Sequence, residues 1–154
     1  MRTWNLHSMQ QKNNLTPNYF SYALYAVILT ALLFILFGSN GWGPAAENEQ
    51  AIGEISRWCE RVSGGFFREP VNTLGNLGFV ITGLYMFYKL SKDATSSKGI
   101  FMFSSSSSLA LLYATASTFL GPGSMAMHGT HTKFGAWLDN VSMVMYILFY
   151  GYTT

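Results

Sequence analysis

From Tyr19 to Gly38 the chain runs twenty residues without a charge, through YALYAVILTALLFILFG. As a helix this stretch is about 30 Å long, the thickness of bilayer hydrocarbon. Polar residues precede it, with Arg2 and Lys12 among them. A cleaved signal peptide has a shorter apolar core and small residues at its cleavage site, and Ser39-Asn40-Gly41-Trp42 does not fit that pattern. The segment is therefore expected to persist as a signal anchor, dividing the chain into 1–38 (polar N-terminus and anchor) and 39–154 (membrane domain).

Three further apolar runs follow: Pro70 to Tyr88, about Gly99 to Gly121, and Ala136 to Tyr152. Pro70 behind Glu69 is a helix-start arrangement, with proline in the first turn and an acid at the positive end of the dipole. The third run contains Ser104 to Ser108, five small hydroxyl residues that favour close helix packing and can bond back to their own backbone. Gly121-Pro122-Gly123 is expected to end or sharply bend that helix. Only 10% of residues are charged and 49% are hydrophobic, so a soluble surface can hardly be built from them. The expected fold is an all-α, polytopic transmembrane bundle with about four spans. Gly151-Tyr152-Thr153-Thr154 adds no polar tail to the last run, so the chain is expected to be part of a longer reading frame.

A net charge of +2 gives no reason to expect a nucleic-acid partner, and the lone Cys59 cannot close an intramolecular disulfide. Four crossings place the N-terminus and the 89 to 98 loop on one face, and the 39 to 69 loop and the 122 to 135 connection on the other. Of the nine Lys and Arg, five (Arg2, Lys12, Lys89, Lys92, Lys98) fall on the first face, which lacks the five glutamates. The positive-inside rule then makes the N-terminus cytoplasmic and puts Glu60, Glu69, Ser124, His128 and Asp139 near the opposite surface.

Those residues carry the chemistry. Ser124 and His128 stand four apart, which puts a hydroxyl and an imidazole on one helix face. Asp139, eleven residues after His128, is within reach of the same pocket at the start of the next run. Ionisable groups at a membrane boundary are costly, and three together mark a functional site. The bland alternative is an interfacial histidine, a serine helix cap and a dipole partner. His131, three residues after His128 in a glycine-containing turn, is a nonspecific signal and is read as structural. Upstream, Glu60 and Glu69 offer hard oxygens of the kind calcium prefers, but Arg57, Arg61 and Arg68 are close by and favour ion pairs. Asn72 and Asn76, also four apart, share a face and are expected to bond a neighbouring helix.

Trp58-Cys59-Glu60, then Glu69-Pro70-Val71-Asn72-Thr73-Leu74-Gly75-Asn76-Leu77, then Gly123-Ser124-Met125-Ala126-Met127-His128 with Asp139 downstream, together resemble the alkaline ceramidase family. That family lies within a superfamily of seven-span membrane hydrolases that includes the adiponectin receptors. The resemblance covers about residues 56 to 154, so the membrane domain resembles the N-terminal part of a seven-span core, with 19–38 as an added anchor. It implies a zinc-dependent amidase that cleaves the C–N bond of a lipid amide such as a ceramide. His128 is implied as one zinc ligand, and Ser124 and Asp139 as the residues that position the metal-bound water and steady charge on the amide carbonyl. The family's other two zinc ligands are histidines on a last span, which this chain does not contain. A calcium site is implied in part, by Glu60, Glu69 and the Trp58 carbonyl, although Arg57 stands where an aspartate is expected and Val62 where an asparagine is. The missing histidine pair leaves a second expectation open: a non-catalytic or receptor-like membrane protein, or an inactive fragment.

Overall fold

The structure, a computed structural model, describes residues 18–93 and 107–153. Five helices form there: α1 (Tyr19–Gly38), α2 (Pro70–Gly75), α3 (Leu77–Asp93), α4 (Ser107–Thr130) and α5 (Lys133–Thr153). The described residues contain no strand, only an isolated antiparallel bridge between Ile55 and Arg61. The fold is all-α.

α1 matches the predicted anchor at both ends. The Asn18 side chain accepts from the Ser21 N–H at 3.2 Å and starts it. It is the one described helix long and apolar enough to cross a membrane by length and composition. Its Tyr25, Leu32, Ile35 and Leu36 are exposed. α4 and α5 are also long enough to cross, at 24 and 21 residues, but serine, threonine and glycine dilute α4, and polar residues the first turns of α5. Of the expected fold, the all-α class holds among the described residues, with one strongly apolar helix.

The helices alternate in direction. The Phe20 N–H at the start of α1 donates to Ser91 Oγ at the end of α3 at 2.9 Å. At the other end of α1, Trp42 Nε1 donates to the Phe66 carbonyl at 2.6 Å, and its ring lies edge-on to Phe34. α4 packs between α3 and α5 through small residues. A Cβ on Gly83 of α3 would come within 2.7 Å of the Thr118 backbone nitrogen, and one on Gly123 would overlap Ser142 of α5. Close approach of this kind is how helices associate where burial from water supplies little drive.

Three local expectations are corrected. The run from Pro70 is not one helix: it breaks at Asn76 between α2 and α3. The Asn76 backbone N–H turns to the Leu74 carbonyl, so the Asn72 carbonyl loses its helical donor. The Asn76 side-chain amide replaces it at 2.9 Å, and so bonds its own helix rather than a neighbouring one. Gly121-Pro122-Gly123 does not end α4, which continues through Pro122 to Thr130. Proline is tolerated inside a helix whose neighbours support it, as α3 and α5 do here. The expected 122–135 connection shrinks to His131 and Thr132. The start of the third run, including Ser104 to Ser106, lies outside the described residues.

Because Gly83 meets backbone, Gly83→Val forces α3 and α4 apart. We expect a loss of about 1–3 kcal/mol, read as a lower apparent Tm of the detergent-solubilised protein, whereas Gly75→Ala, which faces open space, leaves it unchanged.

Candidate functional site

The 39–69 loop folds onto the C-terminal end of α4. A hairpin over 53–62 is held by Gly53 N–H to Val62 O, Val62 N–H to Glu54 O and Ser56 N–H to Glu60 O, each at 2.8 Å, and turns through Cys59 at φ +64°. The chain then crosses α4: the Arg68 N–H donates to the Gly129 carbonyl at 2.9 Å and the Glu69 N–H to the His128 carbonyl at 3.0 Å. These donors satisfy carbonyls that the last turn of a helix leaves without partners.

That crossing delivers Glu69, at the N-cap of α2, to the side of His128. The Glu69 side chain is wholly buried, and its Oε2 lies 2.5 Å from His128 Nδ1. The Asn72 amide donates to the same oxygen at 3.2 Å. Burial pushes the Glu69 carboxyl up, but hydrogen bonds from Ser56, His128 and Asn72, together with the His128 charge, outweigh it and hold the group below the ordinary value of 4.5. The Trp58 ring stands edge-on to the His128 ring at 4.8 Å and closes the cluster.

On the far side of His128, Ser124 lies one turn back on α4 and Asp139 enters from α5. The Asp139 carboxylate is hydrogen-bonded by Ser124, sits within electrostatic range of His128, and keeps a buried oxygen, Oδ1, without a partner. The structure thus brings Ser124, His128 and Asp139 together. Nδ1 of His128 is taken by Glu69, and Nε2 is the nitrogen left for chemistry. A carboxylate behind an imidazole is the usual support of a metal-ligating or proton-moving histidine, because it fixes tautomer and ring plane.

Glu60 and Glu69 do not pair with the arginines. Both Glu60 oxygens accept from the start of α2, from the Val71 and Asn72 N–H groups at 2.8 Å each. Arg57 pairs with Glu49 at 3.0 Å and lies over the Trp58 ring, Arg61 donates to the Gly53 carbonyl, and Arg68 to that of Gly43 at 3.4 Å. The orphaned N–H groups of a helix start compete successfully for a carboxylate against mobile surface guanidinium groups. The Trp58 carbonyl faces the Asn72 amide at 3.5 Å. The three candidate calcium ligands are close together, but as arranged their oxygens are largely committed to protein donors and do not fit a calcium shell. For zinc, His128 supplies one ligand where a catalytic site takes three from protein, and no group of three His, Cys, Asp or Glu able to hold a metal occurs among the described residues. The described residues by themselves do not make up a zinc site.

Sequence reasoning passed over two members of the cluster. His131, read as structural, is wholly buried, with Nε2 3.3 Å from Glu69 Oε1 and Nδ1 3.8 Å from Glu49 Oε2. Its left-handed backbone, φ +53°, ends α4 and turns the ring inward. The signal was the three-residue spacing from His128, although His131 lies just past the last residue of α4. Glu49 had no signal, since its role depends on how the loop folds back.

Comparison with protein-family models, curated proteins and solved structures gives no match to this chain.

Removing the Glu69 carboxylate leaves two imidazoles and an amide facing a buried gap. Glu69→Ala is expected to cost about 3–5 kcal/mol in thermal unfolding. Since the folded state holds Glu69 below its ordinary value, its stabilisation is complete above pH 4.5 and is lost as pH falls through the lower folded-state value. Glu69→Gln should flatten that acid limb of a stability-against-pH curve.

Proposed function

We propose that this protein is a membrane hydrolase of the ceramidase type, zinc-dependent, cleaving the C–N bond of a lipid amide. The observation that carries this is the convergence of Ser124, His128 and Asp139 at one end of the helices, with His128 backed by a buried carboxylate. Amide hydrolysis needs an activated water, a polarised carbonyl and a proton for the departing amine. Zinc, when bound, lowers the pKa of its water and polarises the carbonyl. The chain's own residues take the remaining roles. His128 presents Nε2 as one metal ligand, Asp139 holds a proton acceptor out of bulk water, and Ser124 orients that carboxylate.

Several features support a lipid substrate reached from a bilayer. Large apolar residues on α1, α3 and α5 face outward, among them Leu36, Ile81, Ile147 and Leu148. Lys89 and Lys92, at the end of α3 away from the site, lie over the rings of Tyr85 and Tyr88, a basic and aromatic rim of the kind found at membrane surfaces. It fits a cytoplasmic face there and a site on the opposite face. A groove of about 490 Å³ lies against the end of α2 and the first half of α3, walled by Phe79, Tyr113 and Tyr146. Its mostly apolar lining suits an acyl chain.

The missing ligand group among the described residues favours a second reading, a receptor-like membrane protein that binds lipid without turnover. Zinc content and hydrolysis of a defined ceramide in detergent micelles separate the two. The hydrolase reading expects zinc in the wild type, loss of it in His128→Ala, and a fall of about 10²–10⁴-fold in kcat for Asp139→Asn. Zinc occupancy unchanged by His128→Ala refutes it, and lipid binding without turnover selects the receptor.

A further inference from the structure

We propose that His131 is a positioning residue for this site, one that fixes the Glu69 carboxylate from the side opposite His128 and so sets which nitrogen of His128 carries the proton. Four side-chain atoms meet here in a buried space without hydrogen-bond partners: His131 Nδ1 and Nε2, Glu49 Oε2 and Glu69 Oε1. Each such group carries a desolvation penalty, and an apolar ring of similar volume would fill the space at lower cost. The polar ring therefore acts on a neighbour, and its nearest ionised neighbour is Glu69, with Nε2 to Oε1 at 3.3 Å.

The geometry shows what that action is. A carboxylate turns readily about its last bond. Glu69 is held at Oε2 by His128 and Asn72, and its Oε1 faces His131 Nε2 at 3.3 Å. Two-sided contact fixes the carboxylate plane. An ionised carboxylate only accepts, so His128 must place its proton on Nδ1 and leave Nε2 bare. His131 is itself held from two sides. The Ala46 N–H donates to its carbonyl at 2.8 Å, and the Trp58 ring lies 6.5 Å away. The 46–58 loop is thereby coupled to the tautomer of a histidine on α4.

The role of this tautomer in catalysis rests on the hydrolase reading; its existence does not, and the test uses no substrate. The 154-residue chain labelled with ¹⁵N at its three histidines, stripped of metal by chelator, is examined by NMR in detergent micelles at about pH 8, above the ordinary imidazole range. In the wild type, His128 is expected to show protonated Nδ1 and bare Nε2, the reverse of free histidine. His131→Phe keeps the ring volume and is expected to shift at least about half of His128 to the Nε2–H form, a tenfold or greater change from a bias fixed by about 1.4 kcal/mol or more. His131→Gln, which retains a donor toward Glu69, restores the wild-type signature. A His131→Phe protein whose His128 stays fully Nδ1–H overturns the proposal. If that variant does not fold, the wild type still decides: the proposal requires a proton on His131 Nε2 facing Glu69, and a bare Nε2 there overturns it.

Discussion

A carboxylate removed from water must be matched by donors or it will not stay ionised, and that requirement at Glu69 organises this protein. The group is wholly buried between a loop, the start of α2 and the end of α4. Satisfying it recruits Ser56 from the hairpin, Asn72 from α2 and His128 from α4. The adjoining backbone does the same work, since the Glu69 N–H caps the His128 carbonyl and the Glu69 carbonyl accepts from Thr73 at 2.6 Å. An element that moved away would strand a polar group in a dry interior.

Helix packing makes such a cluster attainable. Because the helices alternate in direction, the end of α1, the start of α3, the end of α4 and the start of α5 lie together. Small residues let α4 sit deep between α3 and α5, which brings Ser124 and His128 within range of Asp139. Pro122 lies in this segment without ending the helix, so the spacing between Ser124 and His128 remains one regular turn. The break at Asn76 serves the same end, for it lets α2 present its first N–H groups to Glu60 while α3 follows its own direction.

Two carboxylates with contrasting surroundings flank one imidazole. Glu69 is bonded at Oε2 by His128 and Asn72 and faces His131 at Oε1, whereas Asp139 keeps a buried oxygen with no facing cation among the described residues. A histidine between a fixed acceptor and an underused one is a common arrangement for holding a metal or moving a proton. The loop that supplies Trp58 also excludes water from the Glu69 side, which strengthens the contacts there.

How much of this was legible beforehand follows the range of the interactions. The first helix was legible to the residue, because an uncharged run needs no partner to declare itself and Asn18 marks its start. The shared face of Ser124 and His128 was legible too, since a four-residue spacing on a helix is local geometry. The helix running through Gly121-Pro122-Gly123 was not, because local propensity favours a break and only packing from α3 and α5 overrides it. Nor were the partners of Glu60, which face helix N–H groups eleven and twelve residues on rather than the arginines beside them. The sequence by itself determined the helical character, the apolar first helix and the gathering of reactive residues toward one end. Only the tertiary structure decided that His128 meets Glu69, 59 residues away, and that His131 turns inward to hold the same carboxylate. The reason is physical: hydrophobic runs and helix spacings act over a few turns, whereas the pairing of buried charges depends on which distant segments share an interior without water.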